Sequence, residues 1–127
     1  MWFNQKMARH NQIGLKGEEL AVAFLIEKGY KILERNWHSS HKEIDIIALY
    51  NGWIIIIEVK TRSGDYLLLP EEAVNKKKIR RIINAAHHYI RMNDINIPVR
   101  FDVISVVFEN QKFEIEHFED AFLAMNA

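Results

Sequence analysis

A chain of 127 residues, 49% hydrophobic and 27% charged, is long enough to fold as one domain, 1–127, around a real core. Zero net charge and the lack of cysteine exclude disulfides and thiolate metal sites, leave out the overall basicity usual in nucleic-acid binders, and make a reducing cytoplasm the natural compartment. The N-terminal Met1-Trp2-Phe3-Asn4-Gln5-Lys6 lacks the apolar segment of a signal peptide, and the longest clean apolar run, Ile54 to Ile57, is far too short to span a membrane, so no membrane association is expected.

Residues 1–11 read as a flexible or variable extension. From about residue 12 to 28, Leu20, Ala21, Ala23, Phe24 and Leu25 keep helical spacing and Gly29 supplies a stop. Tyr30 to Trp37 reads as a strand and His38 to His41 as a loop. Ile44–Tyr50 and Trp53–Thr61 read as two strands around Asn51-Gly52, a strong two-residue hairpin signal. A loop from Ser63 runs toward Pro70. A second helix follows over about Glu71 to Met92, with Val74, Ile79, Ile82, Ile83, Ala86 and Ile90 as its apolar stripe. Val99–Phe108 is a further strand, Asn110-Gln111 a turn, Phe113–Phe118 an edge strand, and Ala121 to Ala124 a short helical turn. The order α-β-β-β-α-β-β implies an α/β domain with a central mixed sheet flanked by helices, the second helix serving as a parallel crossover.

The strand Ile54-Ile55-Ile56-Ile57-Glu58-Val59-Lys60 is aliphatic until it ends in charge. Such a strand should be buried on both faces, where ionised groups need a partner or a job. Counting outward from Asn51-Gly52 pairs Tyr50 with Trp53, Ala48 with Ile55, Ile46 with Ile57, Asp45 with Glu58 and Glu43 with Lys60. Side chains alternate, so the four charged residues share one face. A bulge would instead put Asp45 and Glu58 on opposite faces. Opposed Cβ atoms lie roughly 5 Å apart, where two carboxylates repel. A hard divalent cation turns that repulsion into coordination, and Lys60 supplies a compact cation suited to a phosphate oxygen or an attacking hydroxide.

Glu18 lies beside the core-facing stripe of the first helix, and Gly14 and Gly17 remove bulk around it, letting this helix end approach the sheet. It is a candidate third acid, or a first-turn charge complementing the helix dipole. Lys76, Lys77, Lys78, Arg80 and Arg81 open the second helix. They are either a solvated face or a phosphate-contacting strip, and Arg62 could touch the same backbone. His38 and His41 read as ordinary loop residues. Asp102 reads as a partner of Arg100 or a cap.

Glu18, Asp45 and Glu58-Val59-Lys60 together resemble the PD-(D/E)XK nuclease pattern, with Ile44 in the place of its Pro. Gly14-Leu15-Lys16-Gly17-Glu18-Glu19, Asn36, Glu43-Ile44-Asp45-Ile46-Ile47-Ala48, Glu58-Val59-Lys60-Thr61-Arg62, Glu72-Ala73-Val74, Lys78, Arg100-Phe101-Asp102-Val103 and Ala121-Phe122 resemble the bacterial YraN-like branch. Lys42 stands where that family usually has Gly. The resemblance covers nearly the whole chain beyond the first dozen residues. It implies a restriction-endonuclease-like core similar to that of archaeal Holliday-junction resolvases. It further implies metal ligation by Asp45, Glu58 and the Val59 carbonyl, with Glu18 in support and Lys60 catalytic.

The expectation is therefore a Mg²⁺- or Mn²⁺-dependent endonuclease acting on DNA, including branched DNA, with Arg62, Lys76, Lys77, Lys78 and Arg81 as nucleic-acid contacts. A homodimer is open, since symmetric cuts need two sites. A binding module on the same fold, or a structural domain in which Glu58 pairs with Lys60 and Arg62, are the alternatives.

Overall fold

The computed structural model describes residues 2–63 and 75–122, with side chains from Gln12 onward. Two helices and five strands follow in the order α1 (Trp2–Glu27), β1 (Lys31–Ser39), β2 (Lys42–Tyr50), β3 (Trp53–Ser63), α2 (Lys76–Met92), β4 (Val99–Glu109) and β5 (Lys112–Phe118). The strands form one mixed sheet in the order β1-β2-β3-β4-β5. Only β3 and β4 run parallel, joined through α2, and the other neighbours are antiparallel. This is the α/β architecture expected.

The two helices cover opposite faces. Ala21 and Leu25 of α1 pack with Ile46, Ala48, Ile55, Ile57, Ile104 and Val106 on one face. Ile79, Ile82, Ala85, Ala86 and Tyr89 of α2 pack with Ile44, Ile47, Ile54, Ile56 and Val103 on the other. The four consecutive isoleucines of β3 divide evenly between these two cores, which is why the strand carries no polar alternation. Two of the three hairpin turns use left-handed backbone at both positions, Asn51-Gly52 at φ 50° and 80° and Asn110-Gln111 at 52° and 62°, the twist that matches antiparallel strands.

Two helix boundaries differ from expectation. Helix α1 begins at Trp2, ahead of the start expected near residue 12. Glu18 is thus deep inside the helix, and the dipole reading of its charge falls away. Helix α2 is bounded at Asn75, whose side chain accepts the Lys78 N–H at 2.9 Å as an N-cap. The loop toward Pro70, Glu72-Ala73-Val74 and residues 123–124 lie outside the described residues.

Candidate metal and nucleic-acid site

The β2–β3 ladder follows the counted register from Tyr50↔Trp53 to Ile46↔Ile57 and stops there. The expected pairs Asp45↔Glu58 and Glu43↔Lys60 are not part of it. The Asp45 side chain takes over instead: its Oδ2 accepts the Val59 N–H at 2.8 Å, a donor that a continued ladder would have used. Alternation breaks at the same point, because Ile44 packs on the α2 side and Ile46 on the α1 side. Across β1, Asn36 sits at φ 49° between the pairs Arg35↔Ile46 and Trp37↔Ile44. The kink thus runs through both strands. Glu43, exposed, turns to His38 at 3.6 Å and not to Lys60.

Beyond the kink the strands part, and the gap faces α2. A cavity of about 610 Å³ there is lined by His41, Lys42 and Glu43 from the β1–β2 turn, Asp45 and Glu58 from the sheet, and Lys78, Arg81, Ile82 and Asn84 from α2. A residue's N–H and C=O point toward the same neighbouring strand. Since the Val59 N–H reaches Asp45, its carbonyl is directed into the same gap.

The electrostatics of the two acids are unbalanced. Burial, the charge of Glu58 and, more weakly, that of Glu18 push the Asp45 carboxyl up to about 8, against the opposing pull of the Val59 N–H and Lys78. Glu58, its side chain only 12% exposed, is paired with Lys78 at 2.8 Å. Its partner is therefore on α2, and not Lys60 or Arg62 as a purely structural reading supposed. Lys60 is held below the usual lysine range by burial and by the neighbouring Arg62 and Lys78, with Glu58 opposing. Arg62 donates to the Ser105 hydroxyl at 3.3 Å.

Helix α1 comes close to this end of the sheet at Gly17, where a Cβ would collide with the Thr61 side chain. Gly14 has open space around it and plays no such part, contrary to expectation. The approach at Gly17 is what brings Glu18 within electrostatic range of Asp45.

Of the residues singled out in the sequence, Asp45, Glu58, Lys78 and Arg81 share the cavity, with Val59 hydrogen-bonded to Asp45. Lys60 and Arg62 continue along β3 outside its lining, and Lys76 and Lys77 are exposed on the first turn of α2. His41, Lys42 and Asn84 join the cavity without having been expected there. The one signal available for Asn84 and Lys78 was their helical spacing from Arg81, at i±3.

The profile of the uncharacterised protein family UPF0102 matches residues 17–106. The chain belongs to this family, the YraN-like group. A UPF0102 protein of Parabacteroides distasonis is 51% identical over 118 residues, covering 93% of this chain and 98% of its own. One from Phocaeicola vulgatus is 53% identical, with 91% and 96% covered. A UPF0102 protein of Flavobacterium psychrophilum is 47% identical, with 91% and 98% covered. Glu18, Asp45, Glu58, Lys60 and Lys78 of this chain all fall within the matched stretch, residues 17–106.

Proposed function

We propose that this UPF0102 chain is a Mg²⁺- or Mn²⁺-dependent endonuclease of the PD-(D/E)XK superfamily that hydrolyses DNA phosphodiester bonds, with branched DNA as its first substrate to try. The observation that carries the reading is the pair Asp45 and Glu58, two largely buried acids placed in one cavity despite their mutual repulsion. A fold that needed only packing would put apolar groups there at lower cost.

The donor set suits a hard cation: two carboxylates, a carbonyl directed into the same gap, and a third acid, Glu18, near enough to be felt. A divalent ion held there supplies Lewis acidity and a bound water of lowered pKa. The chain's own residues do the rest. Asp45 and Glu58 would hold that ion at the sheet side of the cavity. Lys60, its proton loosened by burial and by Arg62 and Lys78, is suited to orient the attacking water and steady developing charge on the phosphate. Arg81 and Lys78, with Lys76, Lys77 and Arg62 further out, offer cations to the DNA backbone.

The test is a cleavage assay on linear and four-way-junction DNA with Mg²⁺ or Mn²⁺. Asp45→Ala and Glu58→Ala should each lower cleavage by more than about 100-fold, since even residues behind a metal ligand matter by 10–100-fold. Equal cleavage by wild type and Asp45→Ala rejects the mechanism. The second reading is a non-catalytic DNA-binding or partner-docking module. The Lys78–Glu58 pair favours it, because that contact already gives Glu58 a counter-charge. Junction binding without cleavage in either metal would select the module. A homodimer and a cytoplasmic location belong to the same reading; sedimentation with and without junction DNA tests the first.

A further inference from the structure

We propose that Lys78 holds the cation position at Glu58 until a divalent ion takes it, and then turns to a backbone phosphate, so that metal loading and nucleic-acid binding strengthen one another. This rests on the reading of Asp45 and Glu58 as metal ligands.

The contact is asymmetric. Glu58 is sunk at 12% side-chain exposure, while Lys78 reaches it from the rim at 32%, with Nζ 2.8 Å from Oε1. The Lys78 backbone is pinned, because its N–H is bound by the Asn75 cap at 2.9 Å. The four-carbon stem is not, and it can swing the ammonium without moving the helix. A lysine in the first turn of a helix opposes the helix dipole. Its counter-charge at Glu58 offsets that cost, so the pair stabilises a position that helix energetics alone disfavours. An ammonium and a hard divalent ion both seek the same carboxylate oxygen, and one excludes the other.

Displaced from Glu58, Lys78 remains in a cavity whose lining includes Arg81, one turn along α2, and His41, Lys42 and Asn84, with the exposed acid Glu43 at the rim turned to His38. Apart from Glu43, the polar groups beyond the two ligand acids can donate to an anion, and Lys78 joining them makes a two-cation clasp with Arg81 suited to phosphate. The exchange therefore converts metal binding into a free cation facing the nucleic acid. By linkage, nucleic acid must then raise metal affinity by the same factor.

The experiment is a calorimetric titration of the full chain with Mn²⁺ alone, on wild type, Lys78→Met, Lys78→Arg and Arg80→Met. Arg80 is exposed on the same helix and outside the cavity, so it controls for the loss of one positive charge. Removing a competitor held by a partly exposed ion pair should tighten the Mn²⁺ Kd by roughly two- to fivefold in Lys78→Met. Lys78→Arg should not tighten it, and Arg80→Met should match wild type. Mn²⁺ binding seen only in Lys78→Met also supports the exchange. An unchanged or weaker Kd in Lys78→Met, or an equal gain in Arg80→Met, overturns it while the metal site stands. If neither wild type nor Lys78→Met binds Mn²⁺, the metal reading itself is wrong and the exchange falls with it.

A second measurement follows the phosphate half. Anisotropy of a labelled four-way junction in Ca²⁺ and in EDTA should show Ca²⁺ strengthening wild-type binding, and a smaller Ca²⁺ gain in Lys78→Met. An undiminished gain rejects the turn to phosphate.

Discussion

Two carboxylates mark opposite faces of this sheet, and they are treated in opposite ways. Asp102, on the α1 face, is fully buried and receives four hydrogen bonds. Arg100 donates to both of its oxygens at 2.9 and 2.7 Å, His117 to Oδ2 at 2.7 Å, and the Asp120 backbone N–H to Oδ1 at 2.9 Å. A carboxylate has about four lone-pair sites, so this one is saturated. Burial pushes its pKa up, yet the bonds from His117, Arg100 and Asp120 outweigh it and hold the group below the usual range. Asp45, on the α2 face, accepts one hydrogen bond among the described residues, from Val59, and faces a second acid. Counting donors separates an acid saturated by the fold, Asp102, from one left with spare acceptor sites, Asp45.

The same count disposes of a superficially better metal site. Ligand atoms of Asp102, His117 and Glu119 lie within 4.8 Å of one another. All three are already engaged, because Arg100 also reaches Glu119 at 3.3 Å, and Lys28 stands 2.9 Å from His117 Nδ1. An ammonium can only donate, so His117 Nδ1 accepts and its Nε2 carries the proton given to Asp102. The cluster ties α1, β4 and β5 together, with Tyr30 donated to by Arg100 at 2.8 Å and stacked on Tyr50 at 4.0 Å.

The largest effect that could break the comparison is on the saturated side. Asp102→Ala removes the buried acceptor shared by Arg100, His117 and the Asp120 N–H, leaving Arg100, among the described residues, with only Glu119 and the Tyr30 hydroxyl. It should cost about 3–5 kcal/mol in urea unfolding, whereas a loss under 1 kcal/mol would mean the network is ornamental. Next comes the seam that brings Glu18 toward Asp45. Gly17→Ala should destabilise by about 1–3 kcal/mol through its clash with Thr61. Gly14→Ala, in open space within the same helix, should stabilise by about 0.5–1 kcal/mol.

A smaller effect sharpens the contrast through pH. The folded Asp45 carboxyl stands at about 8 against an ordinary 3.8, so the fold holds a proton that the unfolded chain releases between those values. Its contribution is complete below about pH 4 and is lost as pH rises toward 8. Asp102 is lowered, so its contribution is complete above the ordinary carboxylate range and is lost as pH falls below it. In EDTA, Asp45→Asn should flatten the decline between pH 4 and 8 and gain about 1–2 kcal/mol at pH 8, while keeping the Val59 hydrogen bond. An unchanged slope over that window would show that Asp45 is not the group responsible.

Much of the fold was legible because its signals are local. Asn51-Gly52 names its own turn, and counting from it places every pair to Ile46↔Ile57 correctly. The count fails at Asp45 because a side chain replaces a ladder carbonyl there, which no alternation pattern records. The division of the isoleucines of β3 between two cores was implied by their unbroken run. The pairing of Glu58 with Lys78 was not legible. It joins a strand to the helix after it across the crossover, and Lys60 and Arg62 stood nearer in sequence. Asp102 was read as a partner of Arg100 or a cap, and it is both; the contact with His117 needed the β4–β5 register.

The role proposed for Asp45 and Glu58 is to stay under-bonded for a divalent cation. Urea unfolding at pH 8, in EDTA and in saturating Mg²⁺, tests it most directly. Mg²⁺ at about 100 times its Kd should stabilise the wild-type chain by roughly 2.7 kcal/mol and leave Asp45→Asn nearly unmoved. Equal stability of the wild type in EDTA and Mg²⁺, or equal stabilisation of both proteins, would contradict it.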